Sequence, residues 1–256
     1  MALSLALMTI SFSPPSLANP SELGRVLQQQ GFAVLDARSV SALSACPLSE
    51  LMRLNPTWDA LPPDAFLKDG GRYRRRRHAS CVIQDGQVKR VPHRAHWQPL
   101  EYNALHGGMQ RLFEPILPAL MDQPVWNALL LWLGEVCSVL KGVQPWFVEA
   151  HQFRIDTTDG IGRPTPEGAH RDGVDLVAVF MVSRHGVKGG ETRVFDAAGP
   201  NGQRFTLSEP WSVLLLDDTR VIHESTPIQP RQPDTHDGHR DTLVVTLRSA
   251  GFQEVG

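Results

Sequence analysis

The chain has 256 residues, 41% of them hydrophobic, which is enough for one large domain with a buried core that needs no disulfide or structural metal. Its 25 basic and 27 acidic residues give a net charge of −2, a balance that offers no reason to expect a nucleic acid or an acidic membrane as partner. The three cysteines lie far apart, which favours reduced thiols in a cytoplasmic protein over disulfides or a zinc site.

The first twenty residues contain an apolar run, but no basic residue precedes Arg25, so they lack the charged start of a signal peptide. We predict a loosely packed N-terminal strand or arm there, and no window is long and apolar enough to span a membrane. A helix capped by Ser21 is predicted next, followed by a short strand over residues 32–35 and a second helix over residues 39–45.

Residues 72–77, with the sequence RYRRRR, form the densest charge run of the chain. Such a run is usually a solvated strand or loop. It is also compatible with an anion-binding wall, because the forked guanidinium group of arginine matches a carboxylate. The sequence leaves both interpretations open.

Two long helices are predicted in the middle of the chain. Residues 102–121 place apolar side chains at helical spacing, namely Leu105, Met109, Leu112, Phe113, Ile116 and Leu120. Residues 125–141 show a similar pattern, and Gly142 is a suitable stop. Both helices are expected to cover a sheet.

Short strands separated by turn residues dominate the rest of the chain. They are predicted over residues 146–155, 174–182, 192–195, 203–207, 212–216, 220–224 and 242–247, with a long loop over 227–238. Many short strands favour a sandwich or barrel over parallel units. We therefore predict a mainly β fold with flanking helices, in which residues 1–145 form a helical and strand portion that supports the sheet and residues 146–256 form the β core of one integrated domain.

Three polar residues of this region have the pattern of a metal site. In an extended segment His170 and Asp172 project to the same face, while Arg171 points away. His223 lies in the strand predicted after the apolar run 213–216, and an antiparallel arrangement can return it to the same place. Two histidines and one carboxylate leave three positions of the metal open, as Fe(II) oxygenases require.

Arg240 and Thr242 share a face at the start of the last strand. A guanidinium beside a hydroxyl can hold the distal carboxylate of a metal-chelating dicarboxylate through charge-assisted hydrogen bonds. Arg248 lies on the same face and is the alternative. Arg240 is favoured, because Arg248 is eight residues further along the strand, near its opposite end.

These motifs, together with the Gly189-Gly190 turn, resemble the 2-oxoglutarate/Fe(II)-dependent dioxygenase superfamily. Two segments are similar to bacterial hydroxylases of free amino acids of the L-isoleucine type, namely GAHRDGVDLVAVFMVSRHGVKGGETRVFD and LLLDDTRVIHESTPI. The resemblance covers roughly residues 148–247. It implies a double-stranded β-helix (a cupin-like jelly roll), with iron bound by His170, Asp172 and His223.

The resemblance also implies the cofactors and the reaction. Fe(II) is the metal, 2-oxoglutarate is the cosubstrate, and Arg240 with Thr242 holds its distal carboxylate. A small substrate, expected to be a free L-amino acid, is hydroxylated by O₂ with release of succinate and CO₂. Neither the oligomeric state nor the regiochemistry can be read from the sequence.

Other interpretations of the same residues stay open at this point. A cupin-like metal-dependent isomerase or hydrolase would use the same ligands without 2-oxoglutarate, and a catalytically silent jelly-roll module would need none of them. A substrate carboxylate could be bound by Arg74, Arg76 or Arg154. The other histidines are expected to be structural, although His151 lies on a strand whose alternate residues face the cavity.

Overall fold

The computed structural model describes residue 19, residues 22–233 and residues 237–254. The predicted N-terminal strand or arm, the Ser21 cap and three residues of the predicted 227–238 loop lie outside this described part. None of the described helices is long and apolar enough to cross a membrane.

Five α-helices occur among the described residues: α1 (Leu23–Gln30), α2 (Ala37–Ser44), α3 (Leu48–Met52), α4 (Pro118–Met121) and α5 (Pro124–Lys141). Helix α5 begins with Pro124, whose missing N–H would have no partner in the first turn of a helix. It ends at Gly142, whose N–H donates to the Ser138 carbonyl. Helices α1, α2 and α5 lie close to their predicted positions.

Twelve strands occur among the described residues: β1 (Phe32–Leu35), β2 (Arg74–Gln84), β3 (Gln87–Arg90), β4 (Trp146–Asp156), β5 (Leu176–His185), β6 (Val187–Gly189), β7 (Thr192–Asp196), β8 (Gly202–Phe205), β9 (Val213–Asp217), β10 (Val221–Ser225), β11 (Ile228–Pro230) and β12 (His239–Arg248). The predicted 227–238 loop therefore contains one short strand, β11. A 3-10 helix, Asn55–Trp58, lies between α3 and β2.

The strands form one large and two small antiparallel sheets. The main sheet has the order β1-β9-β5-β12-β4-β2-β3, while β10-β7-β8 form a second sheet and β11-β6 a third. Strands β1, β2 and β3 precede residue 145, yet they belong to the main sheet. The division into a supporting portion and a β core at residues 145/146 stays a prediction, and it falls between α5 and β4.

The two faces of the main sheet have different partners because successive side chains of a strand point in opposite directions. On one face, Leu243, Val245 and Leu247 of β12 belong to the same buried cluster as Leu129 and Leu133 of α5.

The other face packs in part against the second sheet, through a cluster that contains Val177, Met181, Leu214, Val194 and Val221. Next to this cluster the two sheets enclose a polar cavity. The predicted mainly β fold, with flanking helices and a double-stranded β-helix core, is thereby confirmed.

The helix predicted over residues 102–121 is wrong. Only α4 at its end is helical, and the preceding residues form turns and isolated β-bridges. Gly108 adopts a left-handed φ of 71°, and Pro115 has no N–H to donate within a helix. The segment instead pairs with β2, since the His78 N–H donates to the Glu114 carbonyl at 3.0 Å. This extended path brings Arg111 to the cavity.

Candidate functional site

His170 and His223 lie side by side in the wall of the cavity. The backbone N–H of His170 donates to the His223 carbonyl at 3.0 Å, and the reverse bond is 2.9 Å long. The two imidazole centroids are 4.7 Å apart. His170 lies before β5 rather than in it, and this single bridge to β10 fixes its backbone.

Asp172 completes a compact set of three possible ligands. Its Oδ1 lies 3.9 Å from His170 Nε2, and its Oδ2 lies 3.8 Å from His223 Nε2. One ligand atom from each residue lies within 4.8 Å of the other two. Nitrogen and oxygen ligands bind transition metals at about 2.0–2.2 Å, so a single ion between these atoms reaches all three.

The imidazoles of this triad are prepared for metal binding. His170 Nδ1 lies 2.9 Å from the Gly168 carbonyl, to which it must donate, and its Nε2 lone pair is left for a metal. Burial lowers the pKa of His170, but Asp172 and Glu167 outweigh burial and the net pKa is raised. Burial and the neighbouring His170 lower the pKa of His223 to about 3, so this ring is neutral at pH 7.

The backbone that carries Asp172 is held by Asp218. The Asp218 carboxylate accepts three backbone N–H groups, from Asp172 at 3.1 Å, Gly173 at 2.7 Å and Val174 at 3.1 Å. Its sequence neighbour Asp217 accepts from Thr219 within the turn, whereas Asp218 organises the loop that carries a candidate ligand.

A chain of hydrogen bonds connects Asp172 to a buried arginine. Gln98 Nε2 donates to Asp172 Oδ1 at 3.1 Å, while Gln98 Oε1 accepts from Arg111 at 2.9 Å and from Asn103 at 3.3 Å. These two donors fix the orientation of the amide, so its NH₂ group must face the carboxylate. This link was not predicted, because Asn103 and Arg111 lie in the segment for which a helix was expected.

Arg240 and Thr242 line the same cavity as the triad. Arg240 is 4% exposed, its Nε atom has no hydrogen-bond partner, and no carboxylate pairs with it among the described residues. Burial, and then repulsion by Arg184, lower its pKa to about 10. Arg248 instead donates to the carbonyls of Ala250 and Gly251 at the other end of β12 and does not line the cavity.

The arginine run of residues 72–77 divides between two environments. Arg74 and Arg76 are buried and line the cavity, while Arg75 and Arg77 point away from it. Arg74 donates to Asp64 at 2.7 Å. The guanidinium of Arg76 lies 3.6 Å from the ring centroid of Phe113 and 4.4 Å from that of Phe153. The run is thus both a strand and part of a cationic wall.

Arg154, the third arginine considered for a substrate carboxylate, lies on the opposite face of β4. It is paired with Asp241 at 2.7 Å and with Asp59 at 2.9 Å. Its neighbour Gln152 donates to Thr57 at 2.9 Å. Neither residue lines the cavity.

The structure also places a second group of polar side chains beside the cavity. His78, His96, Glu149 and His151 are all buried, and each has a possible ligand atom within 4.8 Å of the others. The first two were expected to be structural. The alternation of side chains along a strand was the signal that could have identified this group. It places residues 74, 76 and 78 on one face of β2, and residues 149, 151 and 153 on one face of β4.

Comparison with known proteins places this geometry in context. Residues 55–246 match the family model described as 2OG-Fe dioxygenase. The chain is 53% identical to a bsmA homolog from Methylobium petroleophilum, whose crystal structure gives a TM-score of 0.89 over 94% of this chain and 97% of that one. No curated protein sequence matches the chain.

Two more distant solved structures share the fold. IDO from Bacillus thuringiensis is 17% identical, with a TM-score of 0.73 over 94% of this chain and 100% of that chain. The Fe(II)/α-ketoglutarate-dependent dioxygenase TqaL is 18% identical, with a TM-score of 0.68 over 90% of this chain and 86% of that chain. At these identities the similarity shows the fold alone.

Proposed function

The chain belongs to the 2OG-Fe dioxygenase family, and from that premise we propose that it hydroxylates a free L-amino acid at an iron centre formed by His170, Asp172 and His223. The enzyme is an oxygenase of the Fe(II)- and 2-oxoglutarate-dependent class. This membership decides against the cupin-like isomerase or hydrolase and against a silent module. The ligands, the cosubstrate site and the substrate are the parts that we propose.

The donor set supports the proposed iron site. Two imidazole nitrogens and one carboxylate oxygen are typical of non-haem Fe(II) centres, in which the remaining positions stay open. Bound Fe(II), with 2-oxoglutarate and O₂, supplies the oxidant that converts a C–H bond of the substrate into C–OH while succinate and CO₂ are released. Asp218 and Gly168 orient the ligands by the hydrogen bonds described above.

One observation carries the proposed cosubstrate site: Arg240 is a buried guanidinium without an anionic partner among the described residues. Such a charge is costly unless an anion neutralises it. Its sequence neighbour Asp241 cannot, because that carboxylate lies on the other face and accepts from Arg154. The distal carboxylate of 2-oxoglutarate, bound by Arg240 and Thr242, would provide the missing charge.

The cavity also offers both charges that a free amino acid needs. Arg74 and Arg111 are buried, and each has a guanidinium nitrogen without a partner, as expected for a carboxylate receptor. Glu167 lines the same cavity, its Oε2 atom has no partner among the described residues, and its charge acts on Arg111. We assign the substrate carboxylate to the two arginines and the ammonium group to Glu167.

The location that we propose is cytoplasmic. Cys46, Cys81 and Cys137 are free and buried, and thiols in this state are typical of a reducing compartment.

A screen of the twenty L-amino acids tests the proposed substrate class. With Fe(II), 2-oxoglutarate and O₂, at least one amino acid should increase succinate release well above the rate without substrate and yield a product heavier by one oxygen atom. Glu167→Gln should raise the KM for that amino acid while the affinity for 2-oxoglutarate is retained. Absence of stimulation by all twenty would contradict the amino acid assignment but not the family.

A further inference from the structure

The buried group of His78, His96, Glu149 and His151 has no role in the proposed chemistry. Three of its members, His96, Glu149 and His151, line the cavity, so they can contact a bound substrate. The imidazole rings of His96 and His151 are nearly perpendicular, with centroids 4.8 Å apart. Their hydrogen bonds determine what each ring can offer.

Arg76 fixes the proton of His151. Its NH2 atom lies 2.7 Å from His151 Nδ1, and a guanidinium can only donate, so Nδ1 is the acceptor. Burial, followed by repulsion from Arg76, lowers the pKa of His151 far below its usual value, so the ring is neutral. The single proton of a neutral imidazole must then be on Nε2. His151 therefore offers a donor.

Glu149 fixes a proton of His96 on Nδ1, the nitrogen that is an acceptor in His151. Burial raises the pKa of Glu149, but the neighbouring histidines His96 and His78 outweigh it, and the net pKa is lowered. The ionised carboxylate can only accept, so His96 Nδ1, at 3.0 Å from Glu149 Oε2, is the donor. When Nδ1 carries the single ring proton, Nε2 has a lone pair and is an acceptor. Among the described residues, neither ring has a hydrogen-bond partner at Nε2.

We propose that Nε2 of His96 and Nε2 of His151 together bind a neutral group of the substrate that has both a donor and an acceptor, such as a carboxamide or a hydroxyl. The amino acid part of this statement rests on the proposed function. Combined with it, the proposal defines the substrate class as amino acids with a neutral polar side chain. An aliphatic side chain would leave both Nε2 atoms buried without a partner, which is costly.

The charges around the pair favour a neutral group over an ion. Glu149 lies directly behind His96 and repels an anion, whereas Arg76 lies behind His151 and repels a cation. The same contacts argue against a second metal site in this group. A metal ligand must have a free lone pair, and on His151 the Nδ1 lone pair is used by Arg76 while Nε2 is protonated.

Two pairs of amino acids with nearly the same shape test the proposal. Asparagine and leucine differ by a carboxamide against two methyl groups, and threonine and valine differ by a hydroxyl against a methyl group. Their dissociation constants can be measured calorimetrically on the anaerobic Fe(II)–2-oxoglutarate enzyme. In at least one pair we expect the polar member to bind at least about 100-fold more tightly, because sites built for hydrogen bonds reject analogues that lack them.

The variants His96→Asn and His151→Asn isolate the two Nε2 atoms. The asparagine amide can replace the Nδ1 contact, with its N–H to Glu149 or its oxygen to Arg76, but it has no atom at the position of Nε2. Each variant should reduce the polar preference by about tenfold, since it removes one of the two hydrogen bonds that produce this preference. Their affinity for 2-oxoglutarate should match that of the wild type. His185→Asn, an exposed histidine outside the cavity, is the control and should keep the preference.

The outcomes separate this proposal from the proposed function. If leucine and valine bind as tightly as their polar partners, or aspartate as tightly as asparagine, the inference is overturned while the amino acid assignment stands. If none of the twenty amino acids binds, the assignment fails, and acetamide becomes the probe. Acetamide binding by the wild type that is lost in His96→Asn would then still support the histidine pair, and no binding would overturn it.

Discussion

At the scale of single residues, hydrogen bonds decide which nitrogen of each histidine is available. The Gly168 carbonyl leaves Nε2 of His170 for a metal, whereas Arg76 forces a proton onto Nε2 of His151. Both rings are buried or nearly so, and both have a carboxylate or guanidinium nearby. One neighbour therefore decides the role of each ring: Gly168 makes His170 a possible metal ligand, and Arg76 makes His151 a donor to the substrate.

The triad is tested by replacing each member with alanine. His170→Ala, Asp172→Ala and His223→Ala should each abolish substrate-dependent succinate release, since the loss of one ligand weakens both the metal and the cosubstrate complex. Fe(II) binding measured under anaerobic conditions should weaken in parallel. Undiminished succinate formation by any of the three variants would refute the ligand assignment.

Arg240 and Arg248 form a matched pair for the cosubstrate site. Arg240→Ala should raise the dissociation constant of 2-oxoglutarate by about 100-fold, because a charge-assisted hydrogen bond to a buried group contributes about 1.5–3 kcal/mol. Arg248→Ala should leave this constant unchanged, since its guanidinium binds carbonyls at the far end of the strand. The reverse result would move the site to Arg248.

At the scale of elements, loops rather than strands carry much of the site. His170 and Asp172 lie in the segment before β5, and Gln98 and Arg111 lie in the irregular segment before α4. The strands contribute His223, Arg240, Thr242 and Arg74. These loops are held by buried side chains that accept or donate several backbone hydrogen bonds. Asp218 is the clearest case.

Replacing Asp218 tests this control of the loop. Asp218→Asn leaves one oxygen to accept three backbone N–H groups, so at least one is left unpaired at a cost of about 1–3 kcal/mol. We expect metal affinity to fall by about 10–100-fold, as for other residues that orient ligands. Asp217→Asn is the control in the same turn, since Asp217 pairs with Lys141 and does not contact the loop. Equal metal affinities in the two variants would contradict this role.

At the scale of the whole molecule, two groups of possible metal ligands lie along one cavity but have different electrostatic surroundings. Around the triad, His170 and His223 face the carboxylates of Asp172, Glu167 and Asp218. The second group has one carboxylate, Glu149, and faces Arg76 and Arg111. A divalent cation is therefore attracted more strongly to the first group than to the second.

We therefore expect one Fe(II) per chain. Anaerobic titration should saturate at one equivalent, and Fe(II) with 2-oxoglutarate should raise the unfolding temperature, since ligands that bind only the folded state stabilise it. His170→Ala should lose this high-affinity site without revealing another. A second equivalent that survives in His170→Ala but disappears in His96→Ala would show that the histidine group binds metal after all.

The sequence by itself determined the mainly β class, most strands, helix α5 and the three residues that converge on the candidate iron site. These follow from local properties: alternation, helical periodicity, and side chains whose chemistry is recognisable wherever they lie. The motif at His170 and Asp172 needed only the spacing of two positions. The choice of Arg240 over Arg248 as the candidate needed only their distance along one strand.

Only the tertiary structure decided the rest, because it depends on which distant segments meet. The apolar spacing of residues 102–121 suggested a helix, but pairing with β2 and the glycine and proline residues of the segment gave an extended path that brings Arg111 and Gln98 to the cavity. His78, His96, Glu149 and His151 come from three separate segments, and the hydrogen bonds of His96 and His151 are made to residues distant in the sequence. No local pattern contains that information.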